Sequence, residues 1–441
     1  MRKRWLVLLS CLLGLLALGA TACGDDEEEG GGEESAGQES VTIYSSLPLQ
    51  GASRPQTTAM VNGIRLAVQQ HDGRAGGYKI EYISLDDSTA QAGTWTPEAT
   101  SANAREAAQN ENAVAYIGEF NSGASAISIP ILNEVPLAQV SPANTAVGLT
   151  SDEPGADKGE PEKYYPTGER HYLRIVPKDT IQGAALATVM AEDGCENVAI
   201  LHDKEVYGAG LARNIENSAV ELGLNVVTNE GIDPKAPNYR AVAASLRQDG
   251  ADCFVFSGIT ANGAVQLYKD VAAALPEANL YGPDGVAESG FADPAEGGIP
   301  ASVAERVKVT VATLSPDQYP PEGQEFFADF EAEYGEPNPD PYAIYGYEAM
   351  DLILDTCDEL GDRCSDRQAM IDGLFATSGR ESVLGTYDID ENGDTTLTDY
   401  GVYRIEGGEL VFDQTVQAEA EPGGDAPGGG TGPPEGGSEE Q

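Results

Sequence analysis

The most informative pattern of apolar and polar residues lies between residues 114 and 145. An apolar run at residues 114–118 has the length and composition of a buried strand, and it ends at a glycine. Ser122 then stands as a candidate helix N-cap, and the apolar segment after it predicts a helix that is broken or bent at Pro130. A second short apolar run, residues 136–140, predicts a neighbouring strand. The stretch is therefore predicted to form strand, polar turn, helix, strand and polar turn.

Both polar turns of this stretch fall where open α/β sheets bind ligands. They follow the carboxyl ends of two neighbouring parallel strands, the edge of the sheet that carries the binding crevice. The N–H groups at a helix start and the hydroxyls of Ser122 and Thr145 are suited to a small carboxylate. Helix capping and turn formation are the alternative roles of these two side chains.

The same alternation of strands and helices extends along most of the chain. Strands are predicted at residues 41–44, 78–85, 197–202, 224–228, 253–256, around 280 and at 307–314, with strand-turn-strand segments at 387–397 and 402–412. Helices are predicted around residues 60–68 and at 96–112, 179–190, 208–222, 238–248, 262–275, 322–334, 342–360 and 366–377. The alternation starts afresh at Asp179, a candidate helix cap, which predicts a second lobe. The fold class is therefore α/β, with two doubly wound parallel-sheet lobes.

Both ends of the chain are predicted to lie outside this fold. Residues 1–23 have the features of a secretory signal, including an apolar run shorter than the roughly 20 residues of a spanning helix. Small residues before Cys23 resemble a bacterial lipobox, although Ala20 stands where such boxes usually carry leucine, so we expect Cys23 to be lipidated; plain secretion is the alternative. Residues 24–40 predict a disordered acidic tether, and residues 417–441 a disordered tail rich in Gly, Pro and Glu.

Four of the six cysteines remain once the signal is removed and Cys23 is acylated. An even number of cysteines in an exported chain indicates disulfides. Cys195 and Cys253 each precede an apolar run, so adjacent parallel strands are expected to place them side by side. Cys357 and Cys364 flank a predicted helix end and are expected to close that loop. Four free buried thiols are the alternative.

The chain is strongly acidic. It contains 73 Asp and Glu residues against 25 Lys and Arg, which gives a formal charge of -48 at pH 7. Such a surface repels nucleic acid and other anionic polymers, so no nucleic-acid partner is expected. A heavily solvated exported protein, or an adaptation to salt, accounts for this acidity without an acidic recognition patch.

Three short motifs give the chain a resemblance to a known family. They are residues 118–122 with the Ser-Pro-Ala-Asn-Thr of residues 141–145, residues 199–204 followed by Tyr207-Gly208, and the Gly-Pro-Asp-Gly of residues 282–285. In this order they resemble the extracytoplasmic solute-binding proteins of the leucine/isoleucine/valine-binding family, which have the type I periplasmic binding fold. The resemblance covers about residues 41 to 415. Ordinary α/β repeats are not expected to carry all three motifs in this order.

The resemblance implies how the chain is divided. In that family two lobes are joined by three crossover strands, and the ligand lies in the cleft between the lobes. Carried over, lobe 1 comprises residues 41–176 and 312–387, and lobe 2 comprises residues 177–311 and 388–416.

The resemblance also implies a ligand site to which both lobes contribute. The residues concerned are Ser122, Ala143, Asn144, Thr145, Tyr207, Thr260 and Asp284. Those of the first lobe are expected to hold a ligand carboxylate and part of its ammonium, Tyr207 to close over the ligand, and Asp284 to be the acidic partner of the ammonium. Thr260 follows Ile259 where amino-acid binders of the family often carry an aromatic residue. From the residues alone, Tyr207 is alternatively a core aromatic, and Asp284 a turn residue in Pro-Asp-Gly.

Other kinds of site match the sequence less well. Residues 388–399 have the spacing of a calcium loop except that Asp399 replaces the bidentate glutamate, and an Asn-Gly turn between strands is the favoured interpretation. Ser122 does not lie in a G-x-S-x-G motif, and the sequence contains neither a Walker A motif nor a complete dinucleotide fingerprint. We therefore expect no metal, no cofactor and no catalytic activity.

Sequence and resemblance together predict an extracytoplasmic, lipid-anchored solute-binding protein of an ABC importer. Its expected partners are an amino acid or related small carboxylate, held by hinge closure of the lobes, and a membrane permease that receives this ligand. We expect the protein to be a monomer. A sensory module that uses the same cleft is the alternative, and an enzyme would need a base near Ser122 that the sequence does not reveal.

Overall fold

A computed structural model describes residues 39–417 of the chain. The predicted signal, the predicted lipidation site Cys23, the predicted tether up to residue 38 and the tail from residue 418 lie outside these residues. The fold begins directly where the predicted tether ends, because Ser40 is already the first residue of a strand.

The first lobe is built on a six-stranded, mainly parallel sheet. Its elements are β1 (Ser40–Leu47), α1 (Arg54–Gln70), β2 (Arg74–Ala75), β3 (Tyr78–Asp86), β4 (Ser88–Thr89), β5 (Thr94–Trp95), α2 (Pro97–Gln109), β6 (Ala113–Gly118), α3 (Ser122–Asn133), β7 (Ala138–Ser141) and β8 (Tyr172–Arg174). The strand order is β2-β3-β1-β6-β7-β8, and β4 and β5 form a separate small ribbon. Thr96 caps α2, because its hydroxyl accepts a hydrogen bond from the Ala99 N–H at 3.3 Å.

The second lobe is built on a seven-stranded sheet. Its elements from residue 179 to residue 311 are α4 (Asp179–Glu192), β9 (Asn197–His202), α5 (Val206–Glu221), β10 (Asn225–Gly231), α6 (Arg240–Gln248), β11 (Cys253–Ser257), α7 (Ala264–Ala274), β12 (Asn279–Gly282), α8 (Ser289–Ala292), α9 (Ala301–Ala304) and β13 (Val307–Val311). The elements that follow β13 along the chain are divided between the two lobes. They are α10 (Pro321–Tyr334), α11 (Ala343–Leu360), α12 (Arg367–Phe375), β14 (Arg380–Ser382), β15 (Gly385–Tyr387), β16 (Asp399–Glu406) and β17 (Glu409–Gln417). The strand order is β10-β9-β11-β12-β13-β16-β17, and β16 and β17 run antiparallel.

The chain crosses between the two sheets three times. It leaves the first sheet after β8, returns after β13 to add α10, α11 and α12 to the first lobe, and crosses again to reach β16. Within each sheet the first parallel strand lies between the second and third, so that β1 sits between β3 and β6 and β9 between β10 and β11. Ligands of such sheets bind at the carboxyl ends of the strands, at the point where the order reverses. The predicted α/β fold with two doubly wound lobes is confirmed.

Helices α1 and α11 join distant parts of the sequence within the first lobe. A Cβ atom at Gly63 would collide with the Ala343 carbonyl oxygen, and one at Gly346 would collide with the carbonyl oxygen of Met60. The absence of a side chain at both positions therefore lets the two helices pack backbone against backbone. This contact attaches the returning chain to the first lobe.

Two predicted N-caps are wrong, and α3 is not broken at its proline. Ser122 is the first residue of α3 and not its N-cap, a position taken by Asn121. Pro130 does not end α3, which continues to Asn133; only three residues follow the proline, so the missing hydrogen bond affects the last turn alone. Asp179 is likewise the first residue of α4, with Lys178 at the N-cap position. Both helices therefore begin one residue earlier than the side-chain pattern indicates.

The segment predicted as either a turn or a calcium loop forms a tight turn between β15 and β16. A single bridge joins Ile389 to Thr395, and Asp390 accepts hydrogen bonds from the N–H groups of Asn392 and Asp394. The carboxylate of Asp394 is paired with Arg174 and Lys178. The acidic side chains of this turn thus bind the protein's own donors. The strand-turn-strand segment predicted at 402–412 belongs to the hairpin β16–β17, which turns at residues 407–408.

Both predicted disulfides are present. Cys195 is joined to Cys253 with a Cα–Cα distance of 5.8 Å, and Cys357 to Cys364 with a distance of 4.7 Å. The first disulfide links the segment before β9 to the start of β11, which are neighbours in the second sheet. The second connects the last turn of α11 to the loop that follows it.

The short disulfide is expected to make a modest contribution to stability. Replacing both Cys357 and Cys364 by serine should lower the free energy of unfolding by about 2 kcal/mol, because a cross-link over seven residues removes little entropy from the unfolded chain. Urea unfolding followed by circular dichroism measures this difference. An unchanged unfolding midpoint would contradict the prediction.

Candidate ligand-binding site

The first-lobe wall of the candidate site is formed where β6 and β7 end. Ser122 and Gly123 open α3, so their N–H groups have no acceptor within the helix. The Ser122 hydroxyl oxygen lies 3.4 Å from the N–H of Ala146 in the turn that follows β7. Thr145, in the same turn, is buried beside it. This wall therefore presents hydroxyls and free N–H groups, the donors that a carboxylate requires.

The second-lobe wall carries an acid and an aromatic residue. Tyr207 lies in the first turn of α5, after β9, and Asp284 begins a short 3-10 helix after β12. The Tyr207 hydroxyl donates to Asp284 Oδ1 at 2.5 Å. Burial raises the pKa of Asp284 above its ordinary value, while the hydroxyl donors around it act in the opposite direction. The carboxylate is thus held in place inside the protein.

The two walls enclose one cavity. Five of the predicted residues line it, namely Ser122, Ala143, Thr145, Tyr207 and Asp284. They come from the carboxyl ends of strands in both lobes, and the cavity lies between the lobes. The prediction that these residues share a cleft is in agreement with this geometry.

Two predicted residues are engaged away from the cavity. Asn144 donates through Nδ2 to the Phe120 carbonyl at 2.9 Å, and its Oδ1 accepts from Tyr172, so it fixes the turn that carries Ala143. Thr260 points toward the Gly285 carbonyl, 3.5 Å from its hydroxyl, and the residue before it, Ile259, lines the cavity instead. For both residues the local backbone turns the side chain away from the ligand position.

Sequence reasoning missed most of the remaining wall. These residues are Trp95, Phe120, Asn121, Gly123, Glu205, Ile259, Gly285 and Tyr342. Phe120, Asn121, Gly123 and Gly285 are neighbours of predicted residues, so their sequence positions could have indicated them. Trp95 and Tyr342 are distant in sequence from every motif, and only the folded chain brings them to the cleft.

Tyr342 connects the two lobes at the acid. It precedes α11 of the first lobe and donates its hydroxyl to Asp284 Oδ2 at 2.6 Å. Its ring meets that of Phe120 edge to face, with 6.4 Å between the ring centroids. Asp284 Oδ1 accepts both the Tyr207 hydroxyl and the Gly285 N–H, whereas Oδ2 accepts the Tyr342 hydroxyl and retains a further lone pair for a ligand donor.

A second buried acid lies behind this wall. Neither carboxylate oxygen of Asp179 has a hydrogen-bond partner among the described residues, although the Asp179 N–H donates to the Thr145 carbonyl at 2.8 Å. Burial raises the pKa of Asp179 well above its ordinary value, and the negative charge of Asp284 raises it further. Both effects favour the neutral form of the Asp179 carboxyl group.

Comparison with known proteins decides the family. Residues 40–409 match the family described as periplasmic binding protein. The chain belongs to this family. The predicted resemblance and the predicted fold are therefore confirmed. Members of the family are extracytoplasmic solute-binding proteins and not enzymes. The homologues of this chain work with ABC transporters.

The chain is similar to three known proteins over most of its length. The leucine-, isoleucine-, valine-, threonine-, and alanine-binding protein of Pseudomonas aeruginosa is 23% identical over 381 residues, or 85% of this chain and 92% of that protein. The leucine binding protein LivK of Thermotoga maritima shares the fold with a TM-score of 0.72 and 22% identity, over 86% of this chain and 99% of LivK. A solute binding protein from R. palustris in complex with benzoate has a TM-score of 0.70 and 21% identity, over 87% of this chain and 98% of that protein.

A helix that spans a bilayer needs about 20 predominantly apolar residues. Between residues 39 and 417, no helix has the length and apolar character needed to span one.

Proposed function

We propose that this protein is the amino-acid-binding component of an ABC importer and captures its ligand in the cleft between the lobes. The observation that carries the proposal is the position of the buried Asp284 in the same cavity as the hydroxyl-lined start of α3. An α-amino acid has an ammonium and a carboxylate on one carbon, so these two walls fit its two charges. The amino acids in the name of the Pseudomonas relative support the same ligand class.

The ligand carboxylate is assigned to the first-lobe wall. The hydroxyls of Ser122 and Thr145 and the N–H groups at the start of α3 are its donors, and the positive end of the helix dipole favours a negative charge there. The ligand ammonium is assigned to Asp284, where it pairs with a carboxylate already oriented by Tyr207 and Tyr342. An aromatic acid such as benzoate has no ammonium, so it leaves Asp284 without a counter-charge.

Hinge closure follows from the placement of these groups on different lobes. A ligand that contacts Ser122 on one side and Asp284 on the other binds the closed arrangement better than the open one, and shifts the equilibrium by that difference in affinity. Delivery to a membrane permease, a lipid anchor at Cys23 and a monomeric state complete the proposal. The anchor and its tether lie outside the described residues. In a sensory module the same closure would signal instead.

Ligand screening tests this function. Protein that has been unfolded, dialysed and refolded is screened by thermal shift with the twenty amino acids, benzoate and nucleosides. A ligand at about 100 times its dissociation constant should stabilise the protein by about 2.7 kcal/mol. Binding of amino acids with a free ammonium and carboxylate, and not of benzoate, supports the proposal. Binding of benzoate alone, or of no amino acid, overturns it.

Tyr342 offers a conservative test of the cleft. Tyr342→Phe removes the hydroxyl that donates to Asp284 across the lobes, and should weaken amino-acid binding about tenfold, because a hydrogen bond to a charged group contributes about 1.5–3 kcal/mol. Isothermal titration calorimetry measures the affinity. The control is Tyr347→Phe on the same helix, whose hydroxyl bonds Gln70 at an exposed position. Equal affinities for the two variants would remove Tyr342 from the site.

A further inference from the structure

The cleft contains a second acidic residue that the proposed α-amino acid core does not use. Glu205 lies at the N-cap position of α5 in the second lobe and lines the same cavity as Asp284. Its carboxylate reaches the first lobe. A Cβ atom on Gly123 would lie 3.3 Å from Glu205 Oε2 and 2.8 Å from Trp95 Cζ2. The carboxylate and the indole ring therefore meet at one corner of the cleft.

Glu205 has no cationic partner. In the part of the chain from residue 39 to residue 417, its side chain forms neither a salt bridge nor a hydrogen bond. The neighbouring Lys204 lies against Gly231 and does not line the cavity. Asp203 is a second negative charge nearby. Among the described residues, the cavity wall includes two carboxylates and no lysine, arginine or histidine.

The charges of the cavity wall then limit which ligand side chains are favourable. An α-amino acid places its ammonium on Asp284 and its carboxylate on the hydroxyl wall, which leaves Glu205 uncompensated. Closing the lobes over a neutral side chain removes water from this carboxylate and gives no partner in return, which is unfavourable. A positive group on the ligand side chain removes that penalty. The face of a tryptophan ring also attracts a cation.

We infer that the ligand is an amino acid whose side chain ends in an ammonium or guanidinium group, held between Glu205 and Trp95. This inference rests on the proposed function, because it assumes that Asp284 and the start of α3 hold the α-amino acid core. It differs from the ligands in the names of the relatives, which have uncharged side chains. Glu205 is the residue that sets this preference.

Lysine and norleucine provide a matched pair of probes. They have the same carbon chain and differ in the terminal ammonium. In isothermal titration at pH 7 and low salt, lysine, ornithine or arginine should bind at least about tenfold more tightly than norleucine, in keeping with a partly buried charge pair. Glu205→Gln should abolish this difference, because it weakens the cationic ligands and relieves norleucine of the cost of an unpaired carboxylate. Glu221→Gln, an exposed change on the same helix, is the control and should alter neither affinity.

The outcomes distinguish this inference from the proposed function on which it rests. If norleucine or leucine binds the unaltered protein more tightly than lysine, ornithine and arginine, the inference is overturned while the amino-acid-binding function stands. The same conclusion follows if Glu205→Gln weakens lysine and norleucine equally. If none of these amino acids binds, the proposed function itself fails.

Discussion

Replacing Asp284 by alanine is expected to weaken amino-acid binding by two to three powers of ten. The ligand ammonium would then lie in a closed cleft without its counter-charge, and removing one partner of a buried ion pair costs about 3–5 kcal/mol, with about 1.4 kcal/mol for each factor of ten. The fold should survive, because Asp284 is a buried carboxylate whose burial already raises its pKa, and its removal relieves that cost in the unliganded protein. The loss is therefore predicted in affinity and not in stability.

Calorimetric titration and thermal unfolding together check this result. Asp233→Ala serves as the control, because Asp233 is an exposed carboxylate of the same lobe and lies outside the cavity. Asp284→Asn keeps the size of the side chain and removes its charge, so it should lose nearly as much affinity as the alanine variant. Unchanged affinity in Asp284→Ala would exclude Asp284 from the site. A large loss of thermal stability would instead indicate a structural role.

Replacing Asp394 by alanine is expected to lower the free energy of unfolding by about 3–5 kcal/mol, because it leaves a buried arginine without its charge partner. Arg174 is fully buried, and its Nε donates to Asp394 Oδ1 at 2.7 Å. The same guanidinium donates to the Ala146 carbonyl at 2.8 Å and to Thr150, behind the turn that carries Thr145. Asp394 lies in the third crossing between the sheets, so this pair connects the crossing to the first-lobe wall.

Urea unfolding at pH 7 measures this effect. The control is Glu391→Ala, an exposed change in the same turn, which should alter stability little. The double variant Arg174→Met, Asp394→Leu removes both charges and should be more stable than Asp394→Ala, since an apolar pair avoids the cost of burying charge. If the single and double variants are equally destabilised, the charge pair is not the cause.

The loss of stability in Asp394→Ala is also expected to depend on pH. Burial alone would raise the pKa of Asp394, but Arg174 and Lys178 outweigh it and hold the pKa below its ordinary value. A carboxylate with a lowered pKa in the folded state contributes stability above the pKa of the unfolded chain, and this contribution is lost as the pH falls through the folded-state pKa. The difference between Asp394→Ala and the unaltered protein should therefore be full at pH 7 and shrink in acid.

The sequence by itself determined the features that depend on local pattern and chain order. Alternating apolar strands and amphipathic helices predict two doubly wound lobes, since a parallel strand needs a crossover helix before the next one. Ser122 and Thr145 could be predicted as site residues because each follows the carboxyl end of a strand, and those ends meet at one edge of a parallel sheet. The cysteine pair 195 and 253 could be predicted for a similar reason, because Cys195 lies just before β9 and Cys253 begins β11, its neighbour in the sheet.

Only the tertiary structure decided which other side chains face the ligand. Trp95 reaches the cleft on the small ribbon β4–β5, and Tyr342 from the start of α11, more than two hundred residues later along the chain. Asn144 and Thr260 lie beside true wall residues, yet their side chains turn away, because a change of one position in a loop reverses the direction of a side chain. Glu205 became informative through its lack of a partner. The periodicity of apolar residues indicates which face of one helix or strand is buried. Contacts across a cleft depend instead on how distant elements pack.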